Sequence, residues 1–191
     1  MKKIAITGGI GSGKSTVGKI LKEKGFPVYS CDEIYADLQT DSLYLTALKG
    51  LFPEVLTEGK LDKATLSKRV FQDKEALQKH NALAHPMILE RLMQAIQKEK
   101  SEFVFVEVQL LFEAGWEKYF DEILVVTREL ESRIAAVQTR SKLSKEEVLS
   151  RIQNQFDYQT LNDRNEKITV MKNDGTTADL KDRVEEYLLS L

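Results

Sequence analysis

The sequence predicts an α/β fold built on a five-stranded parallel sheet with helices on both faces. Three observations carry that expectation. Five short runs are continuously apolar and partly β-branched, the pattern of strands buried on both sides rather than on one. Helical patterns separate these runs, as crossovers between parallel strands require. A glycine-rich turn also leads from the first run straight into an amphipathic helix.

The elements follow in order. Lys3–Thr7 is the first strand, Gly8–Gly13 the turn, and Lys14–Lys24 a helix stopped by Gly25. Pro27–Ser30 is the second strand. From Asp32 to Lys100 only helical patterns occur, with starts near Asp41, Asp62 and Asp73, each an acidic N-cap. Pro86 fits the first turn of a further helix running to Lys100. This block reads as a helical insertion between the second and third strands. Phe103–Gln109 and Glu122–Thr127 are the next strands. Ser144-Lys145-Glu146-Glu147 is a capping box opening a helix to about Gln155. Lys167–Met171 is the fifth strand, and Asn173-Asp174-Gly175 turns the chain into a last helix.

Composition narrows the function classes. The 191 residues carry 28 basic and 30 acidic side chains, a formal charge of −2, which leaves no basic footprint for nucleic acid. No apolar run approaches the roughly 18–20 residues of a membrane span. The apolar stretch after Lys3 is too short for a signal-peptide core of about 7–15 residues. One cysteine, Cys31, forms no intrachain disulfide, so a reducing cytoplasm is the expected setting. Two histidines and that cysteine also argue against structural zinc.

Gly8-Gly9-Ile10-Gly11-Ser12-Gly13-Lys14-Ser15 fits the phosphate-loop pattern G-x-x-x-x-G-K-[ST]. Glycines let the backbone curl so that several N–H groups converge on one anion, and the following helix adds its positive end. The expected nucleotide contacts are Gly9, Gly11, Ser12, Gly13, Lys14, Ser15 and Thr16. Lys14 should bridge the β- and γ-phosphates and Ser15 should ligate Mg²⁺. The loop alone leaves GTPases, ATPases and small-molecule kinases open, although no Asn/Thr-Lys-x-Asp stretch for guanine is present.

Other positions admit two readings each. Asp32 follows the second strand, at the carboxyl end where parallel sheets place ligands, and suits either a proton-accepting base or the N-cap of a helix from Glu33. Glu107 is either a second carboxylate near the metal or a residue facing another layer. His85 is a packing residue or a substrate contact. Five of eight arginines lie between 128 and 164, namely Arg128, Arg133, Arg140, Arg151 and Arg164. Most suit a solvated helix pair; Arg140, just before the capping box, suits a lid that carries a guanidinium to the γ-phosphate. Asn173, in the late turn, suits an adenine contact.

The opening Thr7–Val17 together with Cys31-Asp32 strongly resembles the dephospho-coenzyme A kinase family. Asn81…His85-Pro86-Met87-Ile88 looks like its Asn-x-x-x-His-Pro-x-Ile segment, and Leu110-Leu111-Phe112-Glu113 like its Leu-Leu-Phe-Glu motif; Gln155 and Asn173…Gly175 match later positions. The resemblance implies a phosphate-loop kinase fold with core 1–31, 101–130 and 165–191, a substrate-binding insertion over 32–100 and a helical lid over 131–164. It implies transfer of phosphate from ATP, with Mg²⁺, to the 3′-hydroxyl of dephospho-CoA. Asp32 is then the base, with Lys14 and Arg140 catalytic and His85, Lys63, Leu111 and Glu113 on the substrate side. The partner implied is that small molecule alone, with no nucleic acid or membrane, in a monomer or weak homo-oligomer. Three departures stand out: Gln109 where the family usually has proline, Lys63 for an arginine, and Ala136 where an arginine would pair with Arg140 at i, i+4. Arg133, one turn earlier, is the available substitute.

Overall fold

The computed structural model describes residues 1–158, 161 and 167–191 of the chain. Arg164 and the expected end of the lid at 164 lie outside the described residues. In chain order the first elements are β1 (Lys2–Thr7), α1 (Lys14–Glu23) and β2 (Val28–Ser30). There follow α2 (Cys31–Leu38), α3 (Ser42–Leu51), β3 (Leu56–Thr57), β4 (Lys60–Leu61), α4 (Lys63–Gln72) and α5 (Lys74–Ile96). The chain continues with β5 (Phe103–Glu107), β6 (Glu122–Thr127), α6 (Leu130–Ser141), α7 (Lys145–Gln153), β7 (Ile168–Lys172) and α8 (Thr177–Leu189). Two units result, Met1–Ser30 with Glu99–Leu191, and Cys31–Lys98.

The first unit holds the five-stranded parallel sheet in the order β2-β5-β1-β6-β7. β1 is central, and from Ile4 to Thr7 it is buried on both faces, as its unbroken apolar run requires. Ile4, Ile6, Phe105, Leu124 and Val126 face α1 and α8, closing a core with Val17, Ile20, Leu21, Leu180, Val184 and Tyr187. The chain leaves β1 toward β2 on one side, while β6 and β7 lie on the other. The loop after β1 therefore opens into the crevice at the carboxyl ends of the strands, where such sheets bind ligands.

In the second unit, Asp41, Asp62 and Asp73 cap α3, α4 and α5 as their positions predict; each carboxylate accepts backbone N–H groups of the first turn. Those bonds, led at Asp62 by one from the Thr65 hydroxyl, hold all three carboxyls below the usual Asp range. Buried Tyr44 and His80 share a hydrogen bond of 3.1 Å, and Tyr35 reaches the same Nε2 at 2.9 Å.

Two expectations are corrected here. Pro86 does not start a helix; it lies inside α5, which runs unbroken from Lys74 to Ile96. An interior proline costs about 3 kcal/mol. Here buried Ala76, His80, Ala84, Ile88, Leu92 and Ile96 continue past it on both sides, so packing against α2, α3 and α4 outweighs the lost bond. The insertion is also not purely helical. β3 and β4 form a small antiparallel hairpin whose turn residues, Glu58 and Gly59, both have positive φ (50° and 77°). That is the backbone of a primed turn, and glutamate in its first position hides it from the usual Asn-Gly or Asp-Gly signal.

Candidate active site

The loop between β1 and α1 is assembled from both sides. Gly13 is the residue before α1, with φ of 100°, and a side chain there would strike the Asn173 amide. That left-handed turn aims the first N–H groups of α1 into the loop. The buried Lys14 ammonium lies along the loop interior, donating to the carbonyls of Gly8 (2.8 Å) and Gly9 (3.1 Å). Asn173, buried in the turn after β7, donates from Nδ2 to the Ser12 carbonyl at 2.8 Å. Its neighbours Lys172 and Asp174 line the adjoining cavity, and Asp174 accepts the backbone N–H of Glu129 at the start of α6.

The hydroxyl of Ser15 donates to Glu107 Oε2 at 3.0 Å. This contact follows from register. Glu107 pairs with Ile6 on one side and Ser30 on the other, at the carboxyl end of β5, so its buried carboxylate reaches the first turn of α1. The parallel neighbour of the loop strand thus brings a carboxylate to the loop serine. The hydroxyl and carboxylate oxygens form a hard donor pair of the kind Mg²⁺ takes alongside phosphate oxygens and water. Among the described residues no cluster of three or more His, Cys, Asp or Glu side chains suits a metal.

Helices α6 and α7 pack on each other through Ile134, Val137 and Val148, and Ile10 of the loop inserts into this cluster. The Ile10 backbone is held twice more: its N–H donates to Gln155 Oε1 (2.7 Å), and its carbonyl accepts Arg133 Nε (2.9 Å). Arg133, Gln155 and Tyr158 line, with Gly9, Ser12 and Arg128, a cavity of about 750 Å³ beside the loop. Tyr158 shares a 3.1 Å hydrogen bond with Thr7, the last residue of β1. Burial pushes the Tyr158 hydroxyl pKa up and the Arg133 guanidinium down.

The remaining expected residues fall as follows. Gly11 has φ of 76° in the loop, and Thr16 is exposed in the first turn of α1. Arg140 is exposed on the last turn of α6, not in the turn beyond it. It lies seven residues from Arg133, hence on the same helical stripe. Leu111 is fully buried after β5. Exposed Glu113 accepts the Phe156 N–H at 2.9 Å, and Phe156 stacks on Phe112. In the second unit, Asp32 is exposed in the first turn of α2, which begins at Cys31. It is therefore inside the helix rather than its cap. Lys63 is the exposed first residue of α4, and half-buried His85 sits mid-α5, where burial lowers its pKa. Sequence reading overlooked Tyr158 and the support that Asn173 gives the loop; an isolated tyrosine beyond a helix carries no local signal.

A parallel sheet of this order, turning at its switch point through such a loop into α1, with a lysine folded over the loop carbonyls and a helical pair clasping it, defines a phosphate-loop kinase. Comparison with known proteins narrows the class. The family model for dephospho-CoA kinase matches residues 2–179. A dephospho-CoA kinase of Thermus thermophilus is 38% identical over 188 residues, covering 98% of this chain and 91% of that protein. A crystal structure from Thermus thermophilus, 38% identical, superposes with a TM-score of 0.88 and covers 99% of this chain and 96% of the other. The structure of dephospho-CoA kinase from Campylobacter jejuni gives 0.68 at 28% identity, covering 98% and 95%. The chain belongs to the dephospho-CoA kinase family.

Proposed function

We infer that this chain transfers the γ-phosphoryl group of ATP to the 3′-hydroxyl of dephospho-CoA, giving coenzyme A and ADP, the last step of coenzyme A synthesis. The observation that carries this is a family match over nearly the whole chain, joined to the Lys14, Ser15 and Glu107 geometry of the loop.

The loop N–H groups and Lys14 bind the nucleotide phosphates and offset charge as it shifts in a loose transition state. Ser15 and Glu107 would hold Mg²⁺, which when bound neutralises charge on the phosphate oxygens. Asp32 orients the acceptor hydroxyl and takes its proton. Lys63, His85, Leu111 and Glu113 belong to the acceptor side, Asn173 and Thr16 to the nucleotide side. Arg140 brings its guanidinium to the transferring group when α6 and α7 close on substrate. Among the described residues no helix is long and apolar enough to cross a membrane. A cytoplasmic setting rests on the lone cysteine, and a monomer or weak homo-oligomer is the assembly proposed.

A panel of acceptors with coupled ADP detection tests the assignment. Dephospho-CoA should exceed adenosine, nucleoside monophosphates and gluconate in kcat/KM by orders of magnitude, with the new phosphate on the 3′-oxygen. Equal use of nucleoside monophosphates would make this a nucleotide kinase. ATP hydrolysis with no acceptor phosphorylated would make it a nucleotide-binding regulator. Arg140→Ala should lower kcat by roughly 10²-fold with ATP affinity little changed. Arg140→Lys should restore only part, since a point charge cannot reproduce the planar fork. Equal turnover in all three proteins would return Arg140 to a solvated helix face.

A further inference from the structure

Arg133 has an unusual setting for a helix-surface arginine. It is half-buried, and desolvation weighs against its charge. Among the described residues no carboxylate forms an ion pair with it, whereas Arg69 and Arg91 are each paired with aspartate. Its Nε is committed to the Ile10 carbonyl, which fixes the plane of the guanidinium. The two terminal nitrogens then lie directly against the Gly9 backbone, so close that a methyl group at Gly9 would collide with Nη2. They face the same cavity as Ser12, whose buried Oγ has no hydrogen-bond partner among the described residues. A desolvated cation held against an anion-binding loop, with no ion-pair partner among the described residues, is placed to take an anionic group of the ligand.

We propose that Arg133 is a phosphate-binding residue, supplied by α6, that grips the polyphosphate of the nucleotide lying in the loop. The proposal rests on the nucleotide-binding reading of the loop but not on the identity of the acceptor. Nε anchors the side chain to the loop itself, and the outer N–H groups take phosphate oxygens. Arg133 thereby supplies the guanidinium that Ala136 cannot. Arg140, about 10 Å further along the stripe, is left for the transferring group. A side chain at position 9 would then contend with the guanidinium for the same space.

Calorimetric binding of ATP, ADP and AMP to the intact protein and to Arg133→Ala, Arg133→Lys and Arg133→Gln tests this apart from catalysis. Arg133→Ala should weaken ATP and ADP by about ten- to a hundredfold, the scale of a lost hydrogen bond between charged groups, and AMP far less. Lysine keeps the charge, and glutamine keeps an N–H for the Ile10 carbonyl. Lysine should therefore recover more ATP affinity than glutamine. Recovery by glutamine but not lysine would mean that Arg133 only tethers the loop, and the proposal fails. Unchanged ATP affinity in Arg133→Ala also overturns it. If the alanine variant does not fold, the lysine and glutamine comparison decides alone. Should the acceptor assignment fail while this pattern holds, the binding role of Arg133 still stands.

Discussion

Lys14→Ala should lower kcat by roughly 10²–10³-fold or more while leaving the protein folded. The ammonium is buried and donates to the Gly8 and Gly9 carbonyls at 2.8 and 3.1 Å, so it is already at the loop interior when nucleotide arrives. Its charge matters most when the γ-phosphoryl group is in flight and negative charge moves toward the leaving oxygen. Removing it deletes two hydrogen bonds but also relieves the cost of burying a cation. These effects oppose one another, and a net change of about 1 kcal/mol is expected. For a chain of this size that shifts Tm by roughly 2–4 °C. Stopped assays at saturating substrates, beside thermal melts, measure both quantities. Near wild-type turnover in Lys14→Ala would remove the phosphate-loop assignment.

How much was legible in the sequence depended on the range of the signal. The three inner strands were readable because a strand buried on both faces cannot tolerate polar residues, so the runs around Ile4, Phe105 and Leu124 declare themselves locally; β2 and β7, at the sheet edges, are only partly buried. The caps at Asp41, Asp62 and Asp73 and the box at Ser144 were readable for the same reason: each is a contact within four residues. Pro86 misled because its local preference for a first turn competes with packing along the whole of α5. The site divides in the same way. Gly8 to Ser15 form one contiguous motif, but the contact of Ser15 with Glu107 spans 92 residues and depends on β5 pairing with β1. The bonds from Arg133 and Gln155 to Ile10 span 123 and 145 residues, with no spacing rule to announce them. Sequence reasoning could mark Arg133 as a substitute only through what Ala136 lacks.

Asp32→Asn should reduce turnover of dephospho-CoA by roughly two to four orders of magnitude, with ATP binding unchanged and the melting temperature lowered by no more than about 4 °C. A secondary ribose hydroxyl is a weak nucleophile at neutral pH, and a carboxylate beside it can orient the oxygen and accept its proton as the bond to phosphorus forms. In a loose transition state that proton leaves late, so orientation contributes alongside basicity. The rival role for Asp32 is structural, and the helix boundary bears on it. α2 begins at Cys31, so Asp32 lies within the first turn instead of capping it. Its carboxylate there favours the positive end of the helix by about 0.3–1 kcal/mol. Asparagine has the same shape and loses only that modest charge effect, whereas the base function disappears with the charge. Asp32→Ala removes shape and charge together. A purely structural Asp32 would give a destabilised alanine variant that retains most of its activity, and an asparagine variant close to wild type in both. A base gives two variants that bind ATP normally and scarcely turn over. Melting temperature, calorimetric ATP affinity and kcat on both proteins separate the outcomes. An Asp32→Asn enzyme that phosphorylates dephospho-CoA at the wild-type rate would end the assignment of Asp32 as base.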